Sequence, residues 1–144
     1  NISFARAGHM PFFMRLSNHI KTFIPRGIGL GLADESKFDN LLEEMKLKLN
    51  ENDAVLMFTD GLNELQSENK EEFGYEPLKN ALSEKNHLAM DVTSNIIEKV
   101  NEYGGNLSNS DDMTIFALIF NGNKKLEEWF LINFVILEIE IDEF

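Results

Sequence analysis

The sequence predicts a single domain of the α+β class. With 144 residues, 43% of them hydrophobic, the chain can build one core of ordinary size. Short apolar runs bounded by Gly, Pro, Asn and Asp recur along it, and such runs are typical of strands. Asp91–Tyr103 instead has apolar residues at helical spacing, and Gly104 follows as a stop signal. Strands and helices are therefore expected in one domain.

The N-terminal segment is predicted to contain short strands. Ile2–Ala7 and Phe12–Leu16 are strand patterns on either side of a turn at Gly8, and His19–Ile24 adds a third. Pro25–Leu32 then has three glycines spaced two apart, which predicts a loop. The spacing of the glycines matches no phosphate-binding motif, so it does not decide the role of the loop. The loop is either a turn beside a sheet edge or part of a binding site.

A β-hairpin is predicted in the middle of the chain. Asn40–Leu49 mixes apolar and charged residues, Asn50–Asp53 is a polar turn, and Ala54–Phe58 is a buried-strand pattern. Further along, Tyr75–Glu84 is expected to be a short helix because Pro77 lies near its start.

The C-terminal part predicts two more strands. Met113–Phe120 is an apolar run that ends in turn residues, and Leu137–Ile141 alternates apolar and acidic residues after the largely apolar Trp129–Leu137. The tail strand is expected either to cover a sheet edge or to pair with another chain, which would give self-association. A sequence altered by truncation or frameshift is the third alternative for this tail.

Composition excludes several classes of partner and chemistry. Asp and Glu number 25 against 13 Lys and Arg, and the formal charge of −12 argues against binding to nucleic acid or an anionic membrane. The chain has no cysteine, which excludes disulfides and thiolate chemistry and fits a reducing cytoplasm. No leader or membrane-spanning run is recognised. The first residue is Asn, which suggests a piece of a longer protein.

Aspartates at the ends of two buried strand patterns are the strongest chemical candidates. Asp60 follows Ala54–Phe58, and Asp111 and Asp112 precede Met113–Phe120. A carboxylate at a strand end can face water or a cation, and Mg²⁺ prefers oxygen ligands, so the pair suggests a shared metal centre. Taken singly, Asp60 is better explained as a turn or N-cap residue, and Asp111 and Asp112 as an acidic loop before a strand. His9, near a strand end, is either a site residue or a surface histidine.

Five motifs occur in the order known from one family, and together they cover roughly residues 1–120. They are Ala7-Gly8-His9-Met10-Pro11, Gly29-Leu30-Gly31, Phe58-Thr59-Asp60-Gly61-Leu62-Asn63-Glu64, Phe73-Gly74 and Ser110-Asp111-Asp112-Met113-Thr114. The chain resembles the sporulation protein E-like branch of the PPM-type phosphatases, which are bacterial serine/threonine phosphatases similar to protein phosphatase 2C. The resemblance implies that residues 1–122 are the C-terminal portion of such a domain and that 123–144 are an extension, expected to be β-strand.

The resemblance also implies the site. An α/β/β/α sandwich would hold a binuclear Mg²⁺ or Mn²⁺ centre at one edge of its sheets, with Asp60 and Asp111 as metal ligands. Gly8, His9, Gly61 and Asp112 would line the site. Catalysis would use a metal-activated water and no protein nucleophile. The expected substrates are phosphoserine or phosphothreonine on an anti-sigma-factor antagonist in cytoplasmic signalling.

One departure from the family leaves a second hypothesis open. The family has an upstream aspartate that bridges both metals, and this sequence lacks that segment, so the expected sandwich is incomplete at its N-terminus. A few-carboxylate site that loses one ligand binds metal less tightly. The alternative is therefore an inert remnant or regulatory binding module of the same fold.

Overall fold

The computed structural model describes residues 1–84, 88–103 and 112–122, and the backbone alone of 132–139. Strands and helices share these ranges, so the α+β class predicted from the sequence is confirmed. The strands are β1 Ile2–Ala5, β2 Phe12–Leu16, β3 His19–Phe23, β4 Glu44–Leu47, β5 Ala54–Phe58, β6 Met113–Phe120 and β7 Ile132–Ile139. The helices are α1 Glu35–Leu41, α2 Asp60–Asn63, α3 Glu76–Ser83 and α4 Ala89–Tyr103.

The described strands form two antiparallel sheets. One has the order β3-β2-β5-β6-β7, and the other is a two-stranded ribbon of β1 and β4. In the larger sheet β5 is central, and all five of its residues except Met57 are buried. Both faces of β5 are covered: Ala54, Leu56 and Phe58 lie in the core beneath the helices, and Val55 lies in the apolar cluster on the ribbon side.

Helices cover one face of the larger sheet and the ribbon covers part of the other. On the helical face, apolar residues of α3 and α4 such as Leu78 and Ile96 pack against Leu56 and Ile115 in a continuous core. On the opposite face, Phe4 of β1 meets Phe12 edge to face, with 4.9 Å between ring centroids. The resulting helix, sheet and ribbon layers correspond to three of the four layers of the expected sandwich.

The hairpin predicted between Asn40–Leu49 and Ala54–Phe58 is wrong. β4 pairs with β1, so that Met45 lies opposite Phe4, and the turn after it crosses from the ribbon to the larger sheet. The two strands differ in burial. β4 alternates exposed and half-buried residues, as β1 does, which suits a ribbon with one face in solvent. β5 is apolar on both faces, which suits the centre of the larger sheet.

The tail strand lies beside β6 in the described backbone. β7 pairs with it over eight residues, from Met113 opposite Ile139 to Phe120 opposite Ile132. Among the alternatives for the tail, this pairing corresponds to covering a sheet edge. No helix within the described ranges is long and apolar enough to cross a membrane.

Candidate active site

Three loops that carry the sequence motifs lie at one edge of the larger sheet. β2 and β5 are antiparallel, with Phe13 opposite Leu56, and β5 and β6 are antiparallel, with Phe58 opposite Ile115. The start of β2, the end of β5 and the start of β6 therefore lie side by side at the same end of the strands. This end of the sheet, here called the site edge, brings the Ala7–Pro11 loop beside Thr59-Asp60 and Asp112.

Thr59 connects two of these loops through its side chain and its backbone. Its hydroxyl accepts a hydrogen bond from the Thr114 N–H at 2.9 Å and donates to the Asp112 carbonyl at 3.1 Å. Its own N–H donates to the Thr114 carbonyl at 3.1 Å. These bonds fix the end of β5 against the beginning of β6. The role of Thr59 was missed at the sequence level, where it appears only as the first letter of a Thr-Asp-Gly motif.

Asp60 is exposed at the site edge as the first residue of α2. Its Oδ1 accepts a hydrogen bond from the Gly61 N–H at 3.1 Å, and Gly61 itself is buried. Thr59, rather than Asp60, occupies the N-cap position of this one-turn helix. The carboxylate is thus oriented by its neighbour, open to solvent and held on the end of a buried strand, which suits a ligand for a hard cation.

Asp111 lies outside the described residues, and its role as a ligand stays a prediction. Asp112, its neighbour, is exposed directly before β6 and contributes its carbonyl to Thr59. Within the described ranges, no three His, Asp or Glu side chains lie close enough together to hold a metal ion. Asp60 fits a cation in chemistry and exposure, but the described residues supply only part of a ligand set.

The loop containing Gly8 and His9 is held in place by Arg6. The Arg6 Nε donates to the Pro25 carbonyl at 2.9 Å, and Nη1 donates to the His9 carbonyl. Gly8 has a φ of +82°, which favours glycine, and a Cβ built on it would lie 2.9 Å from the Gly29 Cα. His9 is half-buried beside the start of β2.

The glycine loop was expected to be either a simple turn or part of a site, and it has features of both. Leu32 N–H donates to the Gly29 carbonyl at 3.2 Å, which closes a turn. The same loop packs on the Gly8 loop: a Cβ on Gly27 would lie only 1.7 Å from the Arg6 carbonyl. The two loops touch through backbone, and glycine spacing alone did not reveal this contact.

The Phe73-Gly74 motif is hydrogen-bonded to the segment that follows Asp60. The Gly74 N–H donates to the Asn63 carbonyl at 2.9 Å, and the Phe73 N–H donates to the Leu65 carbonyl at 2.8 Å. Phe73 is buried in the core on the helical face. The motif therefore anchors the segment after Asp60 to the core and contributes no charged group to the site edge.

Comparison with known proteins agrees with this arrangement. The model of the stage II sporulation protein E (SpoIIE) family matches residues 1–121. Two solved structures of the phosphatase domain of the cell fate determinant SpoIIE from Bacillus subtilis are similar in fold. One, presoaked with Mn, has a TM-score of 0.57 at 18% identity and is matched over 85% of this chain and 51% of that domain. The other has a TM-score of 0.55 at 20% identity, over 85% and 50%.

These matches differ in what they establish. At such low identity the structural likeness shows the fold alone, and the chain spans about half the length of the solved domains. No curated protein matches the chain. The family match extends over most of the sequence and includes every motif described above. The chain therefore belongs to the stage II sporulation protein E family of PPM-type phosphatases.

Proposed function

We propose that residues 1–122 form the C-terminal catalytic portion of a metal-dependent protein serine/threonine phosphatase, followed by an extension at 123–144. The observation that carries this proposal is the hydrogen-bonded junction at the site edge, where Thr59 joins the Asp60 loop to the loop that follows Asp111. The related solved domain is a phosphatase that was presoaked with Mn. No feature of the described residues specifically favours an inert remnant.

Asp60 and Asp111 are the proposed ligands of Mg²⁺ or Mn²⁺. Gly8, His9, Gly61 and Asp112 are proposed to line the same site. When bound, a pair of such cations neutralises charge on phosphate oxygens and lowers the pKa of bound water. The chain's own contribution is to hold Asp60 on the rigid end of β5 and to orient its carboxylate through the Gly61 N–H. His9, whose carbonyl is held by Arg6, is half-buried next to the start of β2.

The proposed substrate is phosphoserine or phosphothreonine on a folded protein, an anti-sigma-factor antagonist in bacterial cytoplasmic signalling. The family resemblance supports this choice of protein. The formal charge of −12 argues against nucleic acid as an alternative partner. We further propose that the tail strand β7 gives the protein a route to self-association.

Mn²⁺-dependent hydrolysis of p-nitrophenyl phosphate by the full-length gene product tests the activity. Asp60→Asn and Asp111→Asn are each expected to lower kcat/KM by about 100-fold, because each removes a charged oxygen ligand. Both should also weaken Mn²⁺ binding in isothermal titration calorimetry. Asp39→Asn, an exposed carboxylate in α1, is the matched control and should change neither quantity. Unchanged activity in the first two variants would disprove the ligand assignment, and an inactive wild-type protein would disprove the function.

A further inference from the structure

We infer that Arg6 is a positioning residue of the proposed phosphatase, because it joins the Gly8 loop, Ala7–Pro11, to the glycine loop, Pro25–Leu32. Arg6 lies between the end of β1 and the Gly8 loop. Its guanidinium binds one carbonyl in each loop, so a single side chain holds the two together. The inference rests on the proposed function. It adds a role for the glycine loop, as the support against which the Gly8 loop is held at the site.

The contact depends on the shape of the arginine side chain. Nε donates to the Pro25 carbonyl at 2.9 Å, and Nη1 donates to the His9 carbonyl. The donors of a guanidinium lie in one rigid plane, so they hold two acceptors in a fixed geometry, which a flexible ammonium does not. Pro25 is buried, and a buried carbonyl that loses its donor is costly to leave unpaired. We therefore expect the loops to separate when Arg6 is replaced.

Backbone packing brings the same loops into contact. A Cβ on Gly27 would lie 1.7 Å from the Arg6 carbonyl, and a Cβ on Gly8 would lie 2.9 Å from the Gly29 Cα. Both approaches are closer than a side chain would allow, so the glycine loop lies directly against Arg6 and Gly8. The guanidinium therefore fixes a junction whose two sides already touch.

Strand register places this junction at the site edge. Phe12 pairs with Phe23, so Pro25 lies near the start of β2, where the Gly8 loop ends. β2 pairs in turn with β5, whose end leads into Asp60. A shift of the junction would move the Gly8 loop relative to Asp60. Misplacement of a site group by about 1 Å can slow a reaction by about 100-fold.

The carboxylate of Asp60 is held by other residues. The Gly61 N–H orients it, and Thr59 fixes the end of β5 to the start of β6. In the described part of the chain, the side-chain hydrogen bonds of Arg6 go to Pro25 and His9. Loss of Arg6 should therefore slow turnover without weakening the binding of Mn²⁺, whereas a general collapse of the site edge would impair both.

The experiment measures Mn²⁺-dependent hydrolysis of p-nitrophenyl phosphate by the full-length gene product, with the folded fraction taken from circular dichroism. Arg6→Ala should lower kcat per folded molecule about tenfold, because the Gly8 loop is no longer held in place relative to Asp60. Its Kd for Mn²⁺, measured by isothermal titration calorimetry, should be unchanged. Guanidinium chloride at about 20 mM, well below the molar concentrations that unfold proteins, should restore much of the lost kcat by occupying the space of the missing side chain.

Two further variants complete the comparison. Arg6→Lys keeps the charge but loses the planar pair of donors, so its kcat should lie between those of the wild type and the alanine variant. Arg26→Ala is the control. It removes an arginine of the glycine loop whose side chain is 84% exposed, and it should change neither kcat nor Mn²⁺ binding.

Three results would overturn the inference. An unchanged kcat in Arg6→Ala would mean that the loops keep their places without the guanidinium. A fall in kcat that guanidinium does not restore, or that comes with weaker Mn²⁺ binding, would mean that Arg6 serves only to fold the domain. If the alanine variant does not fold, kcat and Mn²⁺ binding in Arg6→Lys decide in the same way. A wild-type protein without activity would refute the proposed function together with this inference, and that result is distinct from the first two.

Discussion

The hydroxyl of Thr59 lies between the two motif loops of the site, 2.9 Å from the Thr114 nitrogen and 3.1 Å from the Asp112 carbonyl oxygen. One side chain thus accepts a bond from one strand residue and donates a bond to the loop before it. Asp60 is the next residue along the chain. The position of Asp60 relative to Asp112 and the start of β6 therefore depends on the hydroxyl of Thr59.

Thr59→Val should weaken both stability and activity. Valine keeps the shape of threonine but removes the hydroxyl, which leaves the Thr114 N–H and the Asp112 carbonyl without their partner. We expect the free energy of unfolding in urea to fall by about 1–2 kcal/mol. Mn²⁺-dependent hydrolysis of p-nitrophenyl phosphate should fall about tenfold because the two loops are no longer fixed together. Thr59→Ser keeps the hydroxyl and should retain both properties; a serine variant as impaired as the valine one would refute the explanation.

Gly8→Ala and Gly31→Ala form a matched pair. Both glycines have positive φ, +82° and +79°, so alanine is strained at either position by about 1 kcal/mol. A Cβ on Gly8 would also lie 2.9 Å from the Gly29 Cα, whereas a Cβ on Gly31 meets no atom within 4 Å. Thermal unfolding should therefore show a larger loss of stability for Gly8→Ala, by about a further 1–3 kcal/mol. Equal losses of stability in the two variants would mean that the loops containing Gly8 and Gly29 can move apart at no cost in free energy.

The sequence predicted the elements whose apolar residues face the core. β2, β5, β6 and α4 lie close to their predicted bounds because burial imposes a regular apolar spacing on them. α1 was not predicted, since none of its residues is buried and it has no apolar stripe to detect. Its one local signal is Asp34, whose side chain accepts a hydrogen bond from the Lys37 N–H at 2.9 Å as an N-cap.

The site could be predicted only in part for a related reason. Asp60 at the end of β5 follows from the apolar run before it. The Asp60 loop lies at the same end of the sheet as the Gly8 loop because of which strands pair and in which register. Such long-range pairing cannot be predicted from the local spacing of residues. Arg6, which binds the carbonyls of Pro25 and His9, had no sequence signal at all. Asp111 as a second ligand remains a prediction from the motif.

Self-association through the tail is a separate prediction. β7 pairs with β6 along one side, and no strand pairs with its other side among the described residues. Ile132–Ile139 contains no proline or lysine and one acidic residue, although exposed edge strands usually carry such groups against pairing. Light scattering after size exclusion should show dimers that dissociate on dilution.

Ile136→Lys tests whether β7 forms that contact. Lysine on an edge strand opposes pairing with a second chain, so the variant should be monomeric at concentrations where the wild type is dimeric. Thr22→Lys places the same charge on β3, the opposite edge strand of the sheet, and should leave the dimer intact. A wild-type protein that stays monomeric at every concentration would rule out this contact.

Arg15 stabilises the end of the larger sheet that lies farthest from the site edge. It is 3% exposed at the end of β2, and its guanidinium donates to the carbonyls of Asn52, Leu82 and Glu84, with Nη1 3.0 Å from Leu82. It thereby joins the turn before β5 to the end of α3. Burial lowers the pKa of Arg15, and the nearby Asp53 carboxylate opposes that shift.

Arg15→Met should lower the free energy of unfolding by about 3 kcal/mol, because the three carbonyls lose a charged donor and the buried Asp53 loses a nearby positive charge. Arg15→Lys should give a smaller loss, since an ammonium keeps the charge but cannot reach both groups of carbonyls as a planar guanidinium does. Urea titration gives both values. The remaining folded protein should keep its kcat for p-nitrophenyl phosphate, because Arg15 lies at the far end of β2 from the site edge. A methionine variant as stable as the wild type would mean that water replaces the guanidinium at no net cost.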